Sequence, residues 1–587
     1  MGDAADGGAG GNGTAAEVLR PGVWVGKDGR LYSDAQYVLL EDMSRPSWSR
    51  STLIQRIASW PVGDPVANPE FGGLQGLRKI QWFRGLRDDF RRKAPKYASD
   101  WMDGVRNGAK SVAAISFLYF ACLAPVVAFG GAMASLTGGA MGVAEVILSC
   151  GVCGMAYATL AGQPMTFVAP TGLTLAFTAA LYRYCASLGL PFLPMYSWVG
   201  FWTSLLLIGA STINASGLIR YCTRFTEDVF NALLAFNFLS EAIRSLTAEF
   251  KGAATAGDGL LAVNFGLLTA FLLQSASSFR SKRYLPTHWR ETISDFGPPL
   301  VILGVSALSL LPAVSGLGSI SRLSMPGGFM LSGGRPLLIP MLTLPWAYRL
   351  LAILPALFLA TLFFLDQNIT VRTVNSPSHK LQKGAAYHLD LCVLGLLTGA
   401  ASVCGLPWMC SATVQSLNHV RAMTIYTKSK SKGGQEVEAP SSVVETRVTG
   451  FGVHAMILAS ALAVPVLSLV PLPVVAGVFL YLGNKVMGGN QFLRRCKQLF
   501  LDEKELSVTT VGEKEQVILG RKAVLRFTAL QCLCLAALWA LKLSPSTALI
   551  FPSVIGVLML VRAKLIPKVF SSRELMLLDT AIGATSA

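Results

Sequence analysis

Charge is the scarcest property of this chain. Of its 587 residues 14% are Asp, Glu, Lys or Arg, while 52% are hydrophobic. A soluble domain is about one quarter charged, so the composition excludes an ordinary water-soluble domain and describes a polytopic membrane protein. Acid is scarcer than base, 33 residues against 50, for a net charge of +17. That excess fits either a nucleic-acid binder or basic cytoplasmic loops, and the position of the loops decides between them. No nucleophile constellation, metal cluster or phosphate loop stands out, so no enzyme activity is expected. The eleven cysteines lie mostly in apolar runs. Cys150 and Cys153 form a CxxC with no second pair, which reads as packing rather than metal or redox chemistry. A secretory leader is not visible. The opening "MGDAADGGAGGNGTAAE" is Gly/Ala-rich and polar, the several acids and few Arg or Ser of residues 1–30 argue against a transit peptide, and Asp6 stands where myristoylation wants Ser or Thr.

What is abundant is apolar length. A helix needs about 20 apolar residues to cross a bilayer, and the chain offers about fourteen such segments. They begin at 109–130 and end at 545–566; the third, 164–185, is interrupted, and the tenth, 410–425, is short. Basic residues crowd the lead-in to the first span (Arg84, Arg91, Arg92, Lys93) and the loops after even-numbered spans, such as Arg280 to Arg290 and Lys428 to Lys432. This bias places both termini in the cytoplasm and accounts for the net charge without nucleic acid. The expected organisation is an irregular cytoplasmic N-terminus (1–75), a basic amphipathic lead-in (76–108) and a first transmembrane repeat (109–316). An extracellular connection (317–346), a second repeat (347–566) and a cytoplasmic tail (567–587) follow. Seven spans per half invert the second half relative to the first, the layout of an inverted-repeat transporter. The predicted fold is therefore an all-α polytopic membrane protein with about 14 segments in a 7+7 inverted repeat.

The broken segments occupy matching places in the two halves. The third span contains "QPMTFVAPTGLTLAF", with Pro164, Pro170 and Gly172 as breakers, and the tenth follows "CGLPWMCSATVQS", with Gly405 and Pro407. Irregular backbone at membrane depth is tolerated where it lines a cavity, and a helix that begins there aims N–H groups and a positive dipole end into it. Thr171, Gly172, Ser411, Ala412, Thr413 and Gln415 are the expected substrate-binding residues. The Ser and Thr among them also suit plain N-caps. A charge inside a span costs at least about 2.5–3.5 kcal/mol and usually marks function. Asp366 and Thr370, four apart and hence on one helix face, offer oxygens to a small hard cation such as sodium. Asp366 also suits a pairing with a loop Arg or Lys near the inner interface. Glu241 and Glu145 are weaker candidates, and His388 and His419 read as structural.

Long ordered stretches carry a resemblance. "DFRRKAPKYASDW" with "FLYFACLAPVVAFGG", "FLDQNITVRTVNSPSHKLQKGAAYHLDL", "GLPWMCSATVQSLNHVRAM", "PLPVVAGVFLYLGNKVMGGNQF" and "FSSRELMLLD" resemble, in order, segments of the bicarbonate transporter family, the solute carriers that include erythrocyte band 3. The resemblance implies a core domain (spans 1–4 and 8–11) that moves against a gate domain (5–7 and 12–14). It also implies a homodimer formed through the gate, and a plasma-membrane carrier of bicarbonate, carbonate, chloride or borate. "DQNIT" at Asp366 to Thr370 is similar to the "DQQIT" of sodium-coupled members, whereas band 3-type exchangers have Glu at the position of Asp366 and Arg at that of Gln415. Gln415 resembles the borate exporters. The expected function is bicarbonate or carbonate transport by elevator-like alternating access with sodium coupling; borate export and sodium-independent chloride/bicarbonate exchange are the alternatives.

Overall fold

The computed structural model describes Val18–Arg20, Val23–Val25, Leu31–Ser33 and residues 82–579 apart from 280, 281, 283, 323–329, 377–378, 431–435, 464–467, 501–518, 520, 544–549, 572–573 and 576–577. Within 1–75, expected to be irregular, three strands form an antiparallel sheet in the order β1 (Val18–Arg20), β2 (Val23–Val25), β3 (Leu31–Ser33). The local signal is "VLRPGVWVGKDGRLYS", where Pro21-Gly22 and Asp28-Gly29 are turn dipeptides set between β-branched and aromatic residues.

The lead-in is two helices, α1 (Arg84–Lys93) and α2 (Tyr97–Arg106). The first half then runs α3 (Gly108–Leu136), α4 (Val143–Leu160), β4 (Val168–Ala169), α5 (Gly172–Ser187) and α6 (Phe192–Thr212). It ends with α7 (Arg224–Gly252), α8 (Ala256–Ser278) and α9 (Thr287–Leu308). The second half opens with α10 (Ile353–Val374), α11 (Tyr387–Val403), β5 (Cys410–Ser411) and α12 (Thr413–Met423). A hairpin of β6 (Thr424–Lys430) and β7 (Glu436–Val443) leads to α13 (Arg447–Ala459) and α14 (Leu472–Gly489). Last come α15 (Gln491–Gln498), α16 (Arg521–Leu543) and α17 (Phe551–Lys564). The fold is thus mostly helical rather than all-α, because three small sheets join it.

Among the described residues six helices are long and apolar enough to cross a bilayer, or seven if the bent pair α14–α15 counts as one. Two of the other expected spans fall short because they are the broken segments. Helices α5 and α12, of 16 and 11 residues, reach about 24 Å and 17 Å at 1.5 Å per residue, less than a hydrocarbon core of about 30 Å.

Small residues set the close crossings. α11 packs along α6, α13 along α4, and α14 along α7 and α8. A Cβ on Gly154 of α4 would stand 1.8 Å from Cδ2 of the buried His454 on α13. We expect Gly154→Val to force α4 and α13 apart at a cost of about 1–3 kcal/mol or more, read as a lower melting temperature of the detergent-purified protein; an unchanged melt would show that the pair yields there.

The lead-in is tied to the membrane body by a capping carboxylate and a buried lysine, beside a loop that Glu445 holds. Asp89 of α1 accepts from the backbone N–H of His388 (2.8 Å) and Leu389 (3.1 Å), in the first turn of α11. Glu445 accepts from the N–H of Gln382 (2.6 Å) and Lys383 (2.8 Å). Lys93 Nζ donates to the Gly384 carbonyl at 2.5 Å. Burial pushes the Lys93 ammonium from 10.5 down to about 8, against the opposing pull of Glu445, Asp390 and Asp100, with Arg447 adding to the depression. Because the native state gives up this proton before the unfolded state does, the penalty is full below about pH 8 and is relieved as pH rises toward the ordinary lysine value. Wild type should therefore gain stability relative to Lys93→Met between about pH 7.5 and about pH 9.5. Parallel melting curves across that range would refute the assignment.

Candidate functional site: two broken segments beside a buried carboxylate

The breakers do more than interrupt. β4 and β5 pair antiparallel, Val168 opposite Ser411 and Ala169 opposite Cys410. The Ala412 N–H extends the pairing to the Phe167 carbonyl (2.8 Å), and the Phe167 N–H reaches back to Ser416 Oγ (2.9 Å). Since α5 and α12 start just after these paired strands, both helix N-termini lie at the joint. Gly405 (φ +58°) makes the turn that brings the chain there, closing α11 with the Leu406 N–H bonded to the Ala401 carbonyl at 2.8 Å.

Seven of the eight expected site residues gather at this joint, Gln415 being the exception. Thr171 is the N-cap of α5, its Oγ1 accepting from the Thr174 N–H at 3.4 Å. Gly172 follows, buried, with its carbonyl accepting from Asn237 Nδ2 of α7 (2.8 Å) and with Phe238 Cε1 only 2.8 Å from where a Cβ would stand. Ser411 Oγ donates to Gln367 Oε1 of α10, and Gln367 Nε2 donates to the Tyr157 hydroxyl of α4 at 2.7 Å. Ala412 is the N-cap of α12 and has no side chain with which to cap it. Thr413 Oγ1 lies 2.7 Å from Thr370 Oγ1 of α10.

Asp366 is buried one turn earlier on α10, within hydrogen-bonding reach of the Cys410 thiol on β5. Among the described residues no Arg or Lys pairs with it. Gln415 is placed differently. Two residues beyond Thr413, it points about 200° around the helix and lines a separate cleft against α14 with Asn418, Tyr481 and Lys485.

The remaining candidates serve the framework. Glu145 caps α4 through the Gly142 N–H (2.8 Å) and accepts from Ser332 Oγ (3.0 Å). Glu241 pairs on the surface with Arg244 at 2.9 Å. His419 bridges the Met165 carbonyl (3.1 Å) and Thr449 Oγ1 (2.5 Å), and His388 is buried against α1. Sequence reasoning missed Gln367 and Tyr157, whose polar atoms lock the joint, and Asn237 with Lys542, which donates to Asn237 Oδ1. A buried Gln directly after Asp366 was the available signal for the first; nothing local in the sequence ties Asn237 to Gly172.

Comparison with known proteins agrees with this architecture. The chain belongs to the family described as the HCO3- transporter integral membrane domain, which matches residues 81–259 and 254–583. It is a family of multi-pass membrane transporters, not enzymes. The chain is 32% identical to human sodium bicarbonate cotransporter 3 over 88% of its own length and 47% of that protein's. It is also 32% identical to electroneutral sodium bicarbonate exchanger 1 of Rattus norvegicus (88% and 52%) and 30% identical to the human sodium-driven chloride bicarbonate exchanger (87% and 51%). The chain spans about half the length of the curated relatives it matches. In fold it is similar to the transmembrane domain of a cyanobacterium bicarbonate transporter, BicA (TM-score 0.50, 18% identity, 72% of this chain and 98% of that one). It is also similar to SLC26A9 (TM-score 0.50, 12% identity, 86% of this chain and 77% of that one).

Proposed function

We propose that this protein carries bicarbonate or carbonate across a membrane, coupled to sodium, by alternating access. The observation that carries the reading is the β4–β5 joint, where two half-helix N-termini meet beside a buried carboxylate. The uncapped start of α12 and the N-terminus of α5 present N–H donors and positive dipole ends to an oxyanion. Asp366, with the touching hydroxyls of Thr370 and Thr413, supplies the oxygens a hard monovalent cation needs. Binding cation and anion side by side neutralises both in a low-dielectric interior, where either alone would be costly. In this reading fourteen segments form a 7+7 inverted repeat, with α3–α6 and α10–α13 as a core that rocks against a gate of α7–α9 and α14–α17. A homodimer through the gate, cytoplasmic termini and a plasma-membrane location complete it. The relatives named as sodium bicarbonate cotransporters and exchangers support the substrate and the coupling.

The test is uptake of labelled bicarbonate by cells expressing the protein, with sodium present or replaced by a large organic cation. Uptake should collapse without sodium. Persistent uptake would indicate sodium-independent exchange, and boron efflux without bicarbonate uptake would indicate a borate exporter.

A further inference from the structure

The cleft that takes Gln415 opens beside the first turn of α12, and its chemistry points to a second anion station. It holds about 70 Å³ between α12 and α14, with walls from α3, α8 and α9. Its polar lining is Gln415 and Asn418 from α12 and Tyr481 and Lys485 from α14; every other lining residue is apolar and none is acidic. Gln415 and Asn418 are three apart and Tyr481 and Lys485 four apart, so each pair shares a helix face. The lysine is aimed rather than loose: Lys485 Nζ donates to the Tyr481 hydroxyl at 3.1 Å and sits 5.4 Å from the Tyr481 ring centroid. Tyr481 is itself held, its hydroxyl 2.5 Å from Ser277 Oγ of α8.

We infer that Lys485, with the amides of Gln415 and Asn418, forms a recruiting site for a small inorganic oxyanion on the route to the β4–β5 joint, and that Lys485 sets the affinity with which the anion is gathered. One ammonium in an apolar cleft without a carboxylate makes a field that concentrates anions, and the two carboxamides offer N–H donors to oxyanion oxygens. A volume of about 70 Å³ is far below the roughly 300–1,000 Å³ of organic-ligand pockets, which restricts the occupant to a small ion. The cleft joins an element of each moving body, α12 and α14, so a bound anion would be handed over when one slides past the other. This inference rests on the transport reading above.

The experiment measures bicarbonate flux against bicarbonate concentration in proteoliposomes holding wild type, Lys485→Met or Lys485→Arg. Lys485→Met should raise the KM for bicarbonate on the order of tenfold, since steering of this kind is worth roughly 10–10³ in encounter rate. It should leave the maximal rate within about twofold, sodium affinity should not change, and Lys485→Arg should restore most of the KM. An unchanged KM in Lys485→Met, or equal damage by Met and Arg, would overturn the assignment. A wild type that moves no bicarbonate would defeat the transport reading instead. The site is then judged by thermal stabilisation of the purified protein by bicarbonate, borate or chloride: stabilisation lost in Lys485→Met and kept in Lys485→Arg upholds it, and stabilisation by none of the three anions refutes it.

Discussion

Asp366→Asn should abolish sodium-dependent bicarbonate uptake while leaving the protein folded in the membrane. The carboxamide has the shape of the carboxylate, and its oxygen still accepts from the Cys410 thiol, so the contact between α10 and β5 survives. What disappears is the carboxylate that Asp366 brings to the joint. Removing a charged partner from a buried site costs about 2–5 kcal/mol, a loss of about 30-fold or more in cation affinity. Asp366→Glu keeps the charge but pushes a methylene into buried space, so uptake should weaken and still require sodium. The measurement is flux in the two variants normalised to the amount of folded protein at the surface. Undiminished sodium-dependent uptake in the Asn variant would remove Asp366 from the ion site.

The second large effect is on folding. Arg447 is buried at the start of α13. It donates to Asp100 Oδ2 (3.0 Å) and to three carbonyls at the end of α4, those of Ala158 (2.9 Å), Thr159 (3.1 Å) and Ala161 (2.6 Å). It therefore satisfies carbonyls that a helix terminus leaves without intrahelical partners, and pins α2 and α13 to that end. Arg447→Ala leaves these acceptors buried and bare, a loss of about 3–5 kcal/mol by analogy with a broken buried pair, against a whole-protein stability of about 5–15 kcal/mol. We expect little monodisperse protein from Arg447→Ala and a partial recovery in Arg447→Lys, which keeps the charge but not the planar fork. A normal yield and melting temperature for the Ala variant would show that water replaces the guanidinium.

How far the sequence spoke for itself depends on the kind of signal. Pro164, Pro170, Gly405 and Pro407 announce broken backbone by chemistry that acts within a residue or two, and the structure breaks there. The pairing of Val168 with Ser411 joins positions 243 apart and has no local signature. Nor does the hydrogen bond from Ser411 to Gln367. Gln415 shows a subtler gap. Its place in the first turn of α12 was legible, but which way it points depends on where the helix begins, and a one-residue change in that start turns the side chain by about 100°. The carboxylates illustrate the same divide. Asp366 stands out because it interrupts an apolar run, whereas Asp89 lies in a charged segment and looks like surface until α11 is seen to begin on it.

In this reading one joint binds anion and cation together. Two ligands that stabilise each other must do so reciprocally. The most direct measurement is the affinity of purified protein for bicarbonate with and without saturating sodium, paired with the affinity for sodium with and without bicarbonate, in wild type and Asp366→Asn. Each ligand should tighten the other by the same factor in wild type, and the factor should fall to one in the variant. Bicarbonate binding indifferent to sodium in wild type would contradict it.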